Sequence, residues 1–186
     1  MIRHTAIIGL GSNLGTSMSI LHAAWSALQE TSEVETRRLS SPYRSRPVDM
    51  DSPHWFINAV GLIRTSLAPL ALLHTLQSIE ARFGRRRDPL VVGYQDRSLD
   101  LDLLLYDDLH LDTAQLILPH PRMGERRFVL DPLLEILVED VLSPFVKPLP
   151  LWVESCRCRL HHQEIERLIW PASNDGTGLQ TLKKIS

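Results

Sequence analysis

The sequence predicts an α+β fold of the ferredoxin-like sandwich type, with a largely antiparallel sheet and helices packed on its faces. The first reason is the order of the elements, which is strand, helix, strand, strand, helix, strand. The second is that the second and third strands follow each other without an intervening helix, which favours antiparallel pairing. The third is size, since 186 residues, 44% of them hydrophobic, suit one compact domain.

The first half of this order begins with an apolar strand over 5–10 and a glycine-rich turn over 9–15. A helix is predicted over 17–30 because its apolar residues recur on one face, and a second strand is predicted over 34–41. The segment 42–53 has prolines at positions 42, 47 and 53, which fix φ and remove backbone donors. We therefore expect an irregular loop there.

The second half opens with a strand over 55–65 and a helix that begins near Pro69. Gly84 ends this helix, and a long basic loop over 85–96 leads to an acidic strand. The apolar stripe of the helix comprises Leu70, Leu73, Leu76, Ile79 and Phe83.

The remainder of the chain is divided by prolines and turn-forming residues. Its predicted elements are a turn at 107–108, short strands within 109–118, a rigid connection at 119–122, a helical region over 123–137 interrupted near Pro132, a helix over 152–170 and a loose tail over 171–186. The sequence contains no internal repeat and no low-complexity tract.

The most informative motif is Asp100-Leu101-Asp102, which runs directly into an apolar segment. Residues two apart on a strand point to the same face, so the two carboxylates stand side by side while the alternating leucines face a core. Neighbouring carboxylates repel each other and are costly to desolvate. They suit hard cations such as Mg²⁺, which prefer oxygen ligands. The other interpretation is a half-buried strand with a solvated acidic face.

The distribution of charge favours a compact anionic ligand over a long polymer. The formal net charge of −2 gives no sign of nucleic-acid binding. Arg85, Arg87 and Arg97 bracket the loop before the acidic strand, and arginine forks suit phosphate oxygens. Gln77 and Glu80 share a helix face beside them. Together with a metal site, these residues would suffice for phosphoryl transfer. The alternative interpretation is that the arginines lie in solvated loops and that Gln77 and Glu80 lie on an ordinary solvent-facing side of a helix.

Three other motifs carry weaker signals. The glycine spacing of the turn at 9–15 places the third glycine one residue late for a dinucleotide-binding fingerprint, which disfavours a Rossmann fold. His120 lies between two prolines and either hydrogen-bonds a phosphate or serves a structural role. The third motif is a group of potential metal ligands near the C-terminus, but the spacing of these residues differs from that of a zinc hairpin. Its members are Cys156, Cys158, His161 and His162.

The chain has the features expected of a cytoplasmic protein. Its N-terminal residues do not form a secretory signal, and no stretch reaches membrane-spanning length. Its two cysteines are too close in sequence to brace the fold, which fits a reducing compartment. We therefore expect neither a membrane nor a nucleic acid among its partners.

Taken in order, the motifs resemble those of the 6-hydroxymethyl-7,8-dihydropterin pyrophosphokinase family. The strongest match is Arg97-Ser98-Leu99-Asp100-Leu101-Asp102, which is similar to the family signature. The resemblance covers about 5–144, and 145–186 has no clear counterpart. The supporting matches are Gly11-Ser12-Asn13-Leu14, Ser41-Pro42-Tyr43-Arg44-Ser45, Phe56-Ile57-Asn58-Ala59, Pro119-His120-Pro121-Arg122-Met123, Arg126, Phe128 and Pro132-Leu133-Leu134-Glu135-Ile136.

The resemblance implies transfer of pyrophosphate from ATP to the pterin hydroxymethyl oxygen, with release of AMP, in folate biosynthesis. It implies two Mg²⁺ ions held by Asp100 and Asp102, and catalytic roles for Arg85 and Arg97. It further implies three mobile loops and a catalytic domain over 1–144. For 145–186, which has no family counterpart, we expect an extension packed on the same domain. Implied pterin-binding residues are Ser45, Val48, Phe56, Asn58, Tyr94 and Phe128. Implied ATP-binding residues are Gln77, Glu80, Arg87, His120 and Arg126.

The sequence departs from the family pattern in two places. Tyr94-Gln95-Asp96 stands where many members have Trp-Gly-Pro, so Tyr94 replaces the tryptophan and Asp96 adds a negative charge. Arg46 stands where a neutral residue is common. The other hypotheses are a Mg²⁺-dependent phosphohydrolase or nuclease using the same acids, with Asp107 and Asp108 nearby, and a non-catalytic binding module. A monomer is favoured among oligomeric states.

Overall fold

The protein is described here from a computed structural model, which covers residues 3–85, 95–137 and 149–171. The predicted strands and helices occur in the predicted order, with one further short strand, Tyr43–Ser45, between the second and third predicted strands. The helices are α1 (Ser17–Gln29), α2 (Pro69–Arg82), α3 (Arg127–Ile136) and α4 (Leu149–Arg159), with a 3₁₀ helix at Met123–Glu125. The strands are β1 (His4–Ser12), β2 (Val34–Leu39), β3 (Tyr43–Ser45), β4 (Phe56–Thr65), β5 (Asp100–Tyr106), β6 (Leu111–Asp112), β7 (Ile117–Leu118) and β8 (Ile165–Arg167).

The main sheet has the order β5-β1-β4-β3-β8, and β2 pairs with β4 beside β3. All these pairings are antiparallel. β4 is long enough to pair with β2 through its C-terminal half and with β3 through its N-terminal residues. The predicted antiparallel α+β sandwich is therefore confirmed.

The sheet separates two hydrophobic layers because its strands alternate in side-chain direction. On one face, Ile8 and Leu101 pack with α1 and α2. On the other, Ile7 and Leu104 pack with α3 and α4. A register shift between Ile7 and Ile8 bends the β1–β5 pair at this point. Helices thus cover both faces and leave a cleft beside α3.

The structure corrects the prediction of an irregular loop over 42–53. A short strand, β3, lies inside it, with Tyr43 and Ser45 buried and Arg44 exposed between them. Prolines 42 and 47 flank this strand without lying within it, so neither removes a donor from its ladder. The composition predicted the ends of the loop but not the pairing inside it.

Three helical predictions also need correction. The helix predicted over 152–170 ends at Arg159, and β8 follows. The region over 123–137 is interrupted at Arg126, not at Pro132, whose buried ring lies within a continuous α3. Leu70 is 39% exposed, because the buried face of α2 centres instead on Leu72, Leu76 and Ile79.

Within the described ranges, no helix combines the length and apolar character needed to cross a membrane.

Candidate active site

Two carboxylates of β5 face one cleft. Asp100 and Asp102 both line it, while Leu99, Leu101 and Leu103 are at most 3% exposed on the opposite face. This is the same-face arrangement that the alternation of the acidic strand predicts. β5 forms an edge of the sheet, so the acidic residues lie at the border between the core and the cleft.

Three arginines surround the carboxylates. Arg85 Nη1 donates to Asp100 Oδ1, and Arg97 Nη2 lies 2.8 Å from Asp100 Oδ2. Arg126, which is 7% exposed, places Nη1 3.8 Å from Asp102 Oδ2. Each oxygen of Asp100 therefore has its own guanidinium partner. The cleft combines neighbouring carboxylates with several fixed cations, an arrangement suited to metal and phosphate ligands.

Burial changes the acidity of this cluster. Desolvation first, and then the negative charge of Asp100, raise the pKa of Asp102 to about 7, although Arg126 and Arg97 oppose the shift. About a third of the Asp102 side chain remains accessible from the cleft. The surrounding walls still withdraw most of the bulk water from the carboxylate, which explains why desolvation is the largest cause. A cation bound here would favour the ionised form.

Glu80 lies under this cluster and connects it to α2. Its side chain is buried, and Oε1 accepts the backbone N–H of Leu101 at 2.7 Å and a hydrogen bond from Arg85. Burial raises the pKa of Glu80, and the Leu101 N–H and Arg85 oppose that shift. Burial lowers the pKa of Arg85, but Asp100 and Glu80 more than offset it, so the net shift is upward. Glu80 therefore fixes Arg85 beside Asp100.

Two aromatic rings, Phe56 and Phe128, line the same cleft and form what we call the aromatic slot. Phe56 lies 5.5 Å from the Arg97 guanidinium, and Phe128 lies 5.7 Å from that of Arg126. Asn58 is buried, lines the cleft and donates from Nδ2 to Ser45 Oγ at 3.0 Å. The predicted residues that line the cleft are Ser45, Val48, Phe56, Asn58, Phe128, Arg97, Asp100, Asp102 and Arg126.

The glycine-rich segment 9–15, predicted as a turn, belongs to β1 as far as Ser12, and it shapes this cleft in two ways. A Cβ at Gly11 would lie 3.2 Å from Asn58 Oδ1, so glycine leaves room for the amide. Asn13 then binds the segment before β5: its Oδ1 accepts the Arg97 N–H at 2.8 Å and its N–H donates to Arg97 O at 3.1 Å. Asn13 Nδ2 also donates to Asp96 Oδ1 at 2.5 Å. The extra charge of Asp96 is therefore directed at Asn13.

Three predicted ATP-binding residues, Gln77, Glu80 and His120, are not among those that line this cleft. Gln77 is exposed and lines a separate depression with Glu80 and Arg85. His120 lies in the loop before α3, where its Nδ1 accepts the Arg122 N–H at 3.2 Å. Desolvation first, and then Arg126, lower the pKa of His120. Arg87 and Tyr94 lie outside the described residues.

Sequence reasoning missed several residues that line the cleft. Leu104 and Val129 are buried core residues whose exposed edges form its floor, and Met50 belongs to the loop after β3. Arg46, noted only as a departure from the family pattern, lines the same cleft. Apolar character alone does not distinguish such residues from the rest of the core, so no sequence signal identifies them.

Neither Asp107 nor the Cys156/Cys158 cluster adds a ligand to the acidic pair of β5. Asp107 lies at the other end of β5, where its carboxylate accepts the Thr5 N–H at 2.7 Å and contacts His4 Nδ1 at 2.6 Å. Cys156 is buried against the 3₁₀ helix and α3 layer, whereas Cys158 is exposed. Over residues 3–85, 95–137 and 149–171, no group of three or more His, Cys, Asp or Glu side chains is arranged to hold a metal.

Residues 7–138 match the model of the 7,8-dihydro-6-hydroxymethylpterin-pyrophosphokinase (HPPK) family. The chain belongs to this HPPK family. The match includes every described residue of the acidic strand, the cleft and α3, so the site described above lies within the family region.

Curated HPPK relatives resemble the chain over most of its length. The 2-amino-4-hydroxy-6-hydroxymethyldihydropteridine pyrophosphokinase of Synechocystis is 38% identical over 174 residues, which are 91% of this chain and 81% of the relative. The enzyme of the same description from Bacillus subtilis is 42% identical over 135 residues, covering 73% of this chain and 79% of the relative. This similarity agrees with the family assignment.

Solved HPPK-DHPS structures show the same fold. The crystal structure of HPPK-DHPS in complex with substrates matches with a TM-score of 0.61 at 14% identity, covering 87% of this chain. The structure of wild-type HPPK-DHPS from Plasmodium falciparum with pterin and p-hydroxybenzoate also has a TM-score of 0.61 at 14% identity, covering 89%. The present chain spans less than half the length of either protein, at 44% and 46%.

Proposed function

We propose that this protein transfers pyrophosphate from ATP to 6-hydroxymethyl-7,8-dihydropterin, giving the pterin diphosphate and AMP, in folate biosynthesis. The observation that carries the proposal is the single cleft in which Asp100 and Asp102 meet Arg97 and Arg126 beside an aromatic slot. Membership of the HPPK family supports the same activity. A diphosphotransferase needs both halves of this cleft, one for polyphosphate and one for a flat acceptor.

The aromatic slot suits the pterin ring. Phe56 and Phe128 offer flat apolar surfaces, and stacking on such surfaces favours planar heterocycles. Asn58 supplies an amide for the polar edge of the ring, and its bond to Ser45 fixes the orientation of that amide. Val48 completes the proposed ring contacts within the described residues. Tyr94 is proposed as a cover over the ring.

The acidic end of the cleft fits Mg²⁺. Asp100 and Asp102 present hard oxygen donors to one space, and carboxylates with phosphate oxygens are the usual ligands of Mg²⁺. We propose that two ions bind here. When bound, they would neutralise charge on the triphosphate. The chain's own contribution is to hold both carboxylates on a rigid strand, so that little reorganisation is required.

The arginines act on the polyphosphate. Arg97 lies between Asp100 and the Phe56 ring, so its guanidinium can reach a β-phosphoryl group next to an acceptor in the slot. Arg85 is proposed as the second catalytic arginine. The bond that forms joins the hydroxymethyl oxygen to the β-phosphorus, and the bond that breaks joins that phosphorus to the α,β-bridging oxygen. AMP leaves with the bond electrons, and the hydroxyl proton is released.

The nucleotide side of the proposal rests on the residues flanking this cleft. Arg126 faces Asp102 from the start of α3. His120 precedes it in a loop whose backbone donates to Leu104 O at 2.8 Å. Gln77 and Glu80, both on α2, line a depression together with Arg85. Together with Arg87, these residues are proposed to bind ATP.

The proposal includes the setting in which the protein works. We propose that the protein acts as a monomer in the cytoplasm. Cys156 and Cys158 are free thiols, a state that the cytoplasm maintains. We also propose that the catalytic domain spans 1–144 and that 145–186 is an extension packed on it, since the family match ends at 138.

The test is release of AMP from ATP, Mg²⁺ and 6-hydroxymethyl-7,8-dihydropterin. AMP should appear only when the pterin is present, and ADP should not. Asp102→Asn should lower turnover about a thousandfold or more while the circular dichroism spectrum is retained. The matched control is Asp112→Asn, which changes an exposed aspartate of β6. Normal turnover by Asp102→Asn, or phosphate release without the pterin, would refute the proposal.

A further inference from the structure

The segment 163–170, which we call the strap, lies outside the family match and returns to the cleft. The match ends at residue 138, and the strap follows α4. It contacts two walls of the aromatic slot, β3 on one side and the start of α3 on the other. No residue of the strap is among those for which sequence reasoning implied a role.

The strap first acts on β3 by adding a strand to the sheet. β8 pairs with β3, so that Ile165, Ser45 and Phe56 form one rung across three strands. Beyond β8, the Leu168 N–H donates to Pro42 O at 2.8 Å and Trp170 Nε1 donates to Ser40 O at 2.9 Å. β3 has only three residues, so without β8 it would be a short edge strand. The strap therefore fixes the wall that carries Ser45.

The strap also holds the start of α3 through Gln163. Gln163 Oε1 accepts the Arg127 N–H at 2.8 Å, and Nε2 donates to Glu125 O at 2.8 Å. The backbone carbonyl of Gln163 accepts from Arg127 Nη1 at 3.1 Å. The first N–H groups of a helix have no partner within the helix, so Gln163 supplies one from a distant segment. Arg127 lies between Arg126 and Phe128, which both line the cleft.

Charged contacts along the strap follow the same path. Arg46 Nε donates to Glu164 Oε2 at 2.5 Å, and Arg44 lies 3.7 Å from Glu166. Both guanidinium groups lie over the Trp55 ring, at 4.3 and 4.7 Å from its centroid. These ion pairs are exposed and contribute little to stability.

We infer that Gln163 is a positioning residue for the pterin ring, acting from the C-terminal strap by holding the Phe128 end of the first turn of α3 in register with Ser45 and Phe56. This inference rests on the proposed function. Gln163 contacts neither the β5 carboxylates nor the Gln77 depression, so its effect should be confined to the ring end of the cleft. A loss of general stability, by contrast, would weaken both ligands.

The experiment compares ligand binding by Gln163→Ala, Gln163→Glu and the wild-type chain. Pterin affinity is measured by pterin fluorescence with Mg²⁺ and a non-hydrolysable ATP analogue, and affinity for the analogue is measured separately. Gln163→Ala should weaken pterin binding about tenfold, the equivalent of one lost hydrogen bond, and change analogue binding by less than about twofold. Gln163→Glu keeps an acceptor for the Arg127 N–H and should bind pterin within about threefold of wild type.

The matched control is Gln29→Ala, an exposed glutamine at the end of α1, which should bind both ligands as the wild type does. The inference is overturned if Gln163→Ala binds pterin normally, loses both ligands equally, or no longer folds. It is also overturned if Gln163→Glu is as weak as Gln163→Ala. A wild-type chain that binds the analogue but not the pterin would instead refute the proposed function, and the inference with it.

Discussion

Replacing the buried Glu80 tests whether the acidic strand is held in place from α2. Its Oε1 receives both the Leu101 N–H and a hydrogen bond from Arg85, and Arg85 in turn binds Asp100. We predict that Glu80→Ala lowers the free energy of unfolding by about 3 kcal/mol. Glu80→Gln should lower it by less than about 1 kcal/mol.

The two magnitudes follow from what each variant leaves behind. Alanine removes the only acceptor described for the Leu101 N–H, and an unsatisfied buried donor costs about 1–3 kcal/mol. The lost Cγ methylene adds about 1 kcal/mol. Glutamine keeps Oε1 and so retains both hydrogen bonds. It loses the attraction between opposite charges, but it also avoids the desolvation that raises the pKa of Glu80.

The assay is urea unfolding followed by circular dichroism, with thermal unfolding as a second measurement. Glu80→Ala should lower Tm by about 6–12 °C. The control is Gln77→Ala, one turn earlier on the exposed face of α2, which should stay within about 0.5 kcal/mol of wild type. If glutamine and alanine at position 80 destabilise the chain equally, the acceptor has no special role. The reasoning about the Leu101 N–H would then be refuted.

Two further predictions concern stability. Gly61→Ala places a methyl group against the Trp25 ring and should lower the free energy of unfolding by about 2 kcal/mol, measured by thermal unfolding. Adding Trp25→Phe should restore part of that free energy, and a Gly61→Ala variant as stable as the wild type would contradict the prediction. Burial and Glu135 raise the pKa of Tyr43 to about 12, above its value of about 10 in an unfolded chain, so the folded state retains the proton longer. The stability that this contributes is complete below pH 10 and is lost as pH rises to 12, so the Tm difference between wild type and Tyr43→Phe should shrink from pH 9 to 11.

The parts of the fold that could be predicted from sequence are those with local periodic signals. The alternation around Asp100 and Asp102 places both carboxylates on one face because a strand has a period of two. The positions of α1 and α2 follow from apolar spacing and a proline at the start of α2. In each case, residues close in sequence decide the outcome. Pattern and structure therefore agree to within a few residues.

Predictions fail where distant residues decide the structure. β3 exists because its few residues pair with β4 on one side and β8 on the other, and neither partner is visible in its own composition. Pro132 stays within α3 because its ring is buried among the apolar residues of that layer. Gln163 meets Arg127 from 36 positions away. One sequence without tertiary information cannot distinguish such a glutamine from an exposed one.

The charge balance of the described cluster bears on how many metal ions accompany ATP. Asp100, Asp102 and Glu80 are opposed by Arg85, Arg97 and Arg126, so the acids and cations are equal in number. A triphosphate brings roughly four negative charges at neutral pH, since each phosphate carries one or two. One Mg²⁺ would leave a surplus of negative charge in a partly desolvated cleft, whereas two would balance it. When a bound cation keeps Asp102 ionised, the carboxylates and arginines of the cluster neutralise each other, so a nearly neutral ligand set enters the cleft at least electrostatic cost. This charge balance supports the proposed pair of ions.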